Sequence, residues 1–235
     1  MKSLVISLGG SVLVPNLSDH RIKEYAAALR QVSEKHRVFV VVGGGGEARR
    51  YIDEVRTLGV DEGTCDEIGI MVTRLNASLL IAALGDSAYP CVALNHDTAL
   101  EYAVSGRIVV MGGVTPAQTT DAVAAVLAER TRAEVFINLT SVDGIYSADP
   151  KTDTTATKYT HLTPDRLAEI VGGTRLNAGS NTVMDIIAVK IIQRSGIPLV
   201  VLDGRNPENL PDAIISGRLN GTIVSRDTNI RLLPL

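Results

Sequence analysis

The chain has 235 residues and a formal net charge of −3, long enough to bury a sizeable core in one large α/β domain or two small ones. Its 45% hydrophobic and 21% charged residues exclude intrinsic disorder. The slightly acidic balance, the absence of Trp and the presence of only two Phe exclude a global basic field or an aromatic stacking surface for nucleic acid. No span approaches the roughly 20 apolar residues of a membrane helix, and residues 1–8 carry no signal-peptide pattern. A cytoplasmic protein is expected. Cys65 and Cys91 lack metal or redox spacing, and His20, His36, His96 and His161 form no HExxH-like pattern, so no protein-built metal site is expected.

Short apolar runs alternate with longer helical patterns, which points to a mostly parallel sheet with helices on both faces. Leu4–Leu8 reads as the first strand. A helix follows, with a cap at Ser18 or Asp19 and Ile22, Tyr25, Ala26 and Leu29 on one stripe. Val38–Val42 is a buried strand, and Glu47–Leu58 a helix closed by Gly59. A long helix is predicted from about Asp66 to Leu84, with Ile68, Met71, Val72, Leu75 and Leu79 facing the core. Strands at Arg107–Met111, Glu134–Leu139 and Pro198–Leu202 alternate with helices at Thr119–Arg130, Pro164–Val171 and Val183–Ser195. The Thr-rich stretch 144–162 reads as an irregular or hairpin excursion. The whole fits one continuous sheet with two functional halves that meet around residues 115–135.

Four consecutive glycines, Gly43 to Gly46, stand between the second strand and its helix. Glycine in regular structure costs roughly 0.5–1 kcal/mol relative to alanine, so the quartet needs a reason. Two more glycine turns follow predicted strands, "SLGGSV" and "VMGGVTPAQTTDAV". Loops leaving the carboxyl ends of parallel strands gather along one edge, where glycine lets phosphate approach the main chain and helix N-termini supply free amides. The quartet therefore reads as room for phosphate oxygens. Arg49 and Arg50 lie early in the following helix, an electrostatically poor place for cations without a bound anion, and Arg49 is the candidate phosphate contact. GxxxxGK[ST] is absent, and no GxGxxG follows the first strand.

Taken in order, "SLGGSV", "VVGGGGEARRYI", "DEIGI", "TRLNASLLIAAL", "VMGGVTPAQTTDAVAA", "LTSVDGIYSADPK" and "AVKIIQRSGI" resemble the amino acid kinase superfamily, and within it the archaeal-type uridylate (UMP) kinases. The resemblance covers nearly the whole chain. It implies a three-layer α/β/α sandwich with a mostly parallel central sheet, forming a single domain over residues 1–235. In that domain an acceptor half of about residues 1–130 would hold UMP, and a half of about 131–235 would hold ATP. The implied activity is transfer of the ATP γ-phosphate to UMP, giving UDP and ADP in pyrimidine nucleotide synthesis, with Mg²⁺ and a homohexameric assembly. Another kinase of the superfamily, acting on acetylglutamate, carbamate or isopentenyl phosphate, or a non-catalytic nucleotide-binding protein, is the alternative.

Residue by residue, the resemblance matches Gly9, Gly10 and Ser11 to the first phosphate-cradling turn, and with Arg49 these are the implied catalytic residues. On the ATP side it adds Gly45, Thr140, Tyr146 and Asp149 to Gly9, Gly10 and Arg49. On the UMP side it matches Gly44, Asp66 as holder of the ribose hydroxyls, and the loop of Val114, Thr115, Pro116, Ala117, Gln118, Thr119 and Thr120. Asp66 also reads as a helix N-cap. Mg²⁺ is implied to arrive through ATP phosphates and water. Ser7 stands where many members of the superfamily carry Lys, which leaves the source of positive charge open. Phosphoryl transfer to an ionised phosphate needs no general base, and none is named. Asp143 and Asp185 are candidates for orienting groups or for holding metal-bound water.

Overall fold

The computed structural model describes residues 1–16, 19, 21–148, 152–173 and 184–227. In chain order its elements are β1 (Lys2–Leu8), α1 (Gly10–Leu13), α2 (Arg21–Ser33), β2 (His36–Val42), α3 (Gly45–Thr57), α4 (Glu62–Leu84), α5 (His96–Ala103), β3 (Val109–Met111) and α6 (Thr120–Thr131). There follow β4 (Val135–Thr140), β5 (Ile145–Tyr146), β6 (Lys158–Tyr159), β7 (His161–Leu162), α7 (Pro164–Gly173), α8 (Ile186–Ser195), β8 (Leu199–Asp203), α9 (Asn209–Ser216) and β9 (Gly221–Val224).

Seven strands form the main sheet in the order β3-β2-β1-β4-β8-β9-β7, and every pairing is parallel except the antiparallel β8–β9. Strands buried on both faces must read as continuous apolar runs, as β1 and β2 do. Their alternate residues separate two cores. Leu4, Ile6, Leu8, Val38, Val40 and Val42 pack with α2, α4 and α9, while Val5, Phe39, Val41 and Phe136 pack with α5, α6 and α8. The expected α/β/α sandwich is the fold observed. Within the expected excursion β5 and β6 pair with each other as a separate two-stranded antiparallel sheet.

The chain runs from β1 outward through β2 to β3, then returns to pair β4 against the other side of β1. A crevice opens outside the carboxyl ends of the strands at such a reversal, and ligands bind there.

Three expectations are corrected. α4 starts at Glu62, and its N-cap is Asp61, whose side chain accepts from the Thr64 amide, so Asp66 lies a turn inside the helix and is no cap. The inward face of α4 is Cys65, Gly69, Val72, Thr73, Asn76, Ala77 and Leu80, whereas Met71 and Leu75 are 55% and 58% exposed. This helix carries apolar residues all round, so periodicity could not say which stripe meets the sheet. The same composition, with mean hydropathy 1.7 over 18 residues, makes α4 long and apolar enough to cross a membrane, against the expectation that no span qualifies. In the fold its polar Asn76 and Thr73 are buried against the glycine loops. The proposed cap Ser18 lies outside the described residues, and Asp19 accepts from the Asn16 amide side chain.

Candidate active site

The glycine turns meet because β1 and β2 are hydrogen-bonded in register, with Leu8 beside Val42. The Gly9 amide then donates to the Leu139 carbonyl at 3.0 Å, and the Gly43 amide to the Leu8 carbonyl at 2.9 Å. The two loops cross main chain on main chain. A Cβ on Gly10 would collide with the Gly43 carbonyl and the Gly45 amide, one on Gly43 with the Gly10 amide, one on Gly44 with the Ala48 methyl, and Gly45 adopts φ +66°. A Cβ on Gly46 would meet nothing within 4 Å. Packing thus accounts for three of the four glycines, a reason beyond the room for phosphate that the sequence suggested.

α4 fixes the rest. Asn76 Nδ2 donates to the Gly43 and Gly44 carbonyls at 3.0 and 3.3 Å, tying down their oxygens from below. One turn earlier, Thr73 Oγ1 accepts from the Gly113 amide at 2.7 Å and donates to the Ile70 carbonyl. Arg74 Nε holds the Gly113 carbonyl at 3.2 Å. Asp66 Oδ2 accepts from the Ala117 amide at 2.7 Å, and Ala117 stands at φ +61° in the left-handed region. One helix, through its inward face, therefore positions both the polyglycine bend and the loop before α6.

Between these loops lies a cavity of about 500 Å³. Of the residues singled out in the sequence, Gly9, Gly10, Ser11, Gly44, Gly45, Arg49, Asp66, Thr115, Gln118, Thr119, Thr120 and Thr140 line it. Val114 does not, since it packs into the core beside α6, and neither do Pro116, Ala117 or Tyr146. Tyr146 sits on the β5–β6 hairpin and donates through its hydroxyl to Asp143 Oδ1 at 2.9 Å. Asp143 also receives Lys158 Nζ at 3.1 Å, and the hydrogen bonds of Tyr146 and Lys158 hold its carboxyl below the usual range although burial acts the other way. Asp149 lies outside the described residues. Arg50 is engaged with Glu47 at 3.1 Å, whereas Arg49 makes no ion pair among the described residues.

Thr119 caps α6, accepting from the Ala122 amide at 3.2 Å, and its hydroxyl donates to Asp185 Oδ2 at 2.8 Å. Asp185 in turn caps α8 through the Ile187 amide at 3.1 Å, so its orienting role falls on the helix starts.

Sequence reasoning missed Asp121. It lines the cavity from the first turn of α6 and accepts from Ser7 Oγ at 2.7 Å. Burial pushes its carboxyl up to about 6, against the Ser7 hydrogen bond and with the repulsion of Asp185. Ser7 and Asn138, adjacent in register on β1 and β4, line the same floor. The available signal was two polar residues interrupting apolar strand runs one or two places before the sheet edge. Among the described residues no group of three or more His, Cys, Asp or Glu side chains is placed to hold a metal ion.

Known proteins resemble this chain in sequence and fold. The amino acid kinase family model matches residues 2–203. The chain is 61% identical over 227 residues to a uridylate kinase of Methanoculleus marisnigri, covering 97% of each chain. It is 58% identical over 235 residues to a uridylate kinase of Methanoregula boonei, covering the whole of both. The solved uridylate kinase of Archaeoglobus fulgidus superposes with a TM-score of 0.86 at 49% identity, over 96% of this chain and 100% of that one.

Proposed function

The chain belongs to the amino acid kinase family, and we propose that it transfers the γ-phosphoryl group of ATP to UMP, giving UDP and ADP. The observation that carries this reading is the convergence of the three glycine turns on one cavity that Asp66, Thr115, Thr119, Thr120 and Thr140 also line. Main-chain amides, with an arginine that makes no ion pair among the described residues, suit a triphosphate facing a monophosphate.

UMP takes the side formed by Gly44, Asp66 and residues 114–120, and ATP the side formed by Gly9, Gly10, Gly45, Arg49 and Thr140. The domain thus divides into an acceptor half up to about residue 130 and a donor half beyond it. Asp66 has a second carboxylate oxygen beyond the one that holds Ala117, and it accepts from ribose hydroxyls. Thr120, whose hydroxyl has no partner among the described residues, offers a donor to the acceptor phosphate. Val114, Pro116 and Ala117 act by shaping the loop. Tyr146 approaches the adenosine from the hairpin.

The transferred phosphoryl passes through a loose transition state, so the protein contributes position and charge neutralisation. The amides of the Gly9–Ser11 turn and of the head of α3 face the phosphate oxygens, and Arg49 adds a mobile cation. Mg²⁺ would arrive bound to ATP and water, beside a lining of amides, hydroxyls and the carboxylates of Asp66 and Asp121, and would offset phosphate charge there. The exposed Met71–Leu75 stripe of α4 supports self-association, with a homohexamer as the expected assembly. Soluble nucleotides as substrates fit a cytoplasmic enzyme.

The test is ADP formation with Mg-ATP against UMP, CMP, dUMP, acetylglutamate, carbamate and isopentenyl phosphate. Turnover confined to the nucleoside monophosphates, with UMP foremost, is the expected result. Turnover with acetylglutamate or isopentenyl phosphate but not with UMP would overturn the assignment.

A further inference from the structure

The floor of the cavity presents an electrostatic conflict. Asp121 stands where the two nucleotide phosphates are to meet, on the reading above, yet no described Lys or Arg pairs with it. Its hydrogen-bond partner is a neutral hydroxyl, Ser7 Oγ at 2.7 Å. The elements packed against α6 do not help. β1 brings Ser7, β2 brings the apolar Val41, and β4 brings Asn138. α5 brings His96, whose ring meets the Val123 carbonyl at 3.0 Å, and α8 brings Asp185. Arg49 and Asp66 line the same cavity. Of these charges the one that acts on Asp121 is that of Asp185, and its sign disfavours ionisation. The head of α6 and the Ser7 hydroxyl favour the charged form, and burial outweighs both.

We propose that Asp121 takes up one proton from solvent when the nucleotides bind, so that phosphoryl transfer proceeds beside a neutral carboxylic acid. The acid then donates its O–H to a phosphate oxygen while its carbonyl oxygen still accepts from Ser7. An opposite charge beside an Asp lowers its pKa by about 1–3 units, and a like charge in a shared site raises it by a comparable amount. Starting from about 6, that carries Asp121 across neutrality. The repulsion between an anionic floor and an anionic ligand is thereby replaced by a hydrogen bond, with no lysine required. Asp121 touches the reacting phosphates in this scheme, and Ser7 positions it.

The experiment is binding of a nonhydrolysable ATP analogue and UMP to the full chain with Mg²⁺ present. Calorimetry at pH 7 in two buffers of different ionisation enthalpy counts the protons, and infrared difference spectra report the carboxylic-acid C=O band. Wild type should take up roughly half a proton or more beyond that seen with Asp121→Asn, from the expected rise of about 1–3 units. The C=O band should appear with the ligands and be absent in that variant. Comparison with the variant cancels protons gained or lost by the nucleotides themselves. Ser7→Ala serves as a second probe. Without the hydroxyl that favours the charge, the acid band should already be partly present at pH 7 before ligand is added. Tight binding with equal proton uptake in wild type and Asp121→Asn, or with no acid band, would overturn the proposal and leave the kinase reading standing. No nucleotide binding at all would overturn both.

Discussion

Asp66 and Ala117, 51 residues apart in the chain, are joined by a hydrogen bond of 2.7 Å from the Ala117 amide to the Asp66 carboxylate. The bond holds a non-glycine residue at φ +61°, where such residues are strained by about 1–3 kcal/mol. One carboxylate therefore shapes the loop with one oxygen and faces the cavity with the other. Asp66→Asn keeps one acceptor and removes the charge. Hydrogen bonds to charged groups contribute about 1.5–3 kcal/mol, so KM for UMP should rise by roughly 10- to 100-fold with a smaller change for ATP. Steady-state kinetics with each substrate varied decides, and a larger effect on ATP would reverse the two subsites.

Arg49 and Arg50 are neighbours with different fates. Arg50 is held by Glu47 on its own helix, while Arg49 lines the cavity without a carboxylate partner among the described residues. Arg49→Ala should lower kcat/KM for ATP by roughly 10- to 100-fold, the loss of one charge-assisted hydrogen bond of about 1.5–3 kcal/mol. Arg50→Ala should stay within about twofold, since an exposed i,i+3 pair is worth about 0.3–0.5 kcal/mol. Equal effects of the two substitutions would remove Arg49 from the mechanism.

The fold was legible wherever one physical signal dominated. Apolar runs such as Val38–Val42, short, rich in valine and closed by glycines, point to buried strands, and the glycine turns after them mark the sheet edge. Legibility failed where two signals tied. α4 is apolar on both faces, so the choice of Met71 and Leu75 as core residues was a choice between equals. α5, α9 and β9 are eight residues or fewer, too short for periodicity to speak. At the site, the glycine turns and Arg49 stood out as anomalies of composition. Asp121 did not, because Asp in the first turn of a helix is also what dipole compensation alone would place there.

The glycines separate packing from chemistry. Gly10→Ala drives a methyl into the main chain of the neighbouring turn at Gly43 and Gly45, with no flexible side chain to yield. It should destabilise by at least the 1–3 kcal/mol typical of overpacking. Gly46→Ala meets open space within a helix and should stabilise by about 0.4–1 kcal/mol. Chemical denaturation of both variants tests the pair. A stable Gly10→Ala protein would mean that the crossing of the two loops is looser than its geometry states.

The exposed stripe of α4 makes a prediction about assembly. Leu75 is 58% exposed and Met71 55%, side by side one turn apart on a helix whose other face is core. Exposed apolar patches of this kind mark contact surfaces. Leu75→Glu should lower the solution mass measured by light scattering while leaving the circular dichroism of the subunit unchanged. An unchanged mass would place the contact between copies elsewhere.

Asp121 also fixes a pH dependence of stability. Its carboxyl titrates near 6 in the folded chain against an ordinary value of 3.8. Between those values the folded state binds the proton more tightly than the unfolded one, so this contribution is fully present below about pH 4 and is lost as pH rises through 6. The gap of about two pH units, at about 1.36 kcal/mol each, sets an upper bound near 3 kcal/mol. The side chain keeps some accessible surface, so about 1–2 kcal/mol is the expected size. His36 and His161 act in the opposite direction. Burial lowers both pKa values, so the unfolded chain takes up their protons first and stability falls as pH drops below about 6.5. The wild-type curve mixes these trends, but the difference between Asp121→Asn and wild type cancels the histidines. Asn keeps an acceptor for Ser7 and has no charge to bury. The variant should therefore be more stable than wild type at pH 8 by about 1–2 kcal/mol, with the gain shrinking toward zero at pH 4. Denaturant titrations at the two pH values measure it directly, and a variant no more stable than wild type at pH 8 would show that the charged carboxyl is not destabilising where it stands.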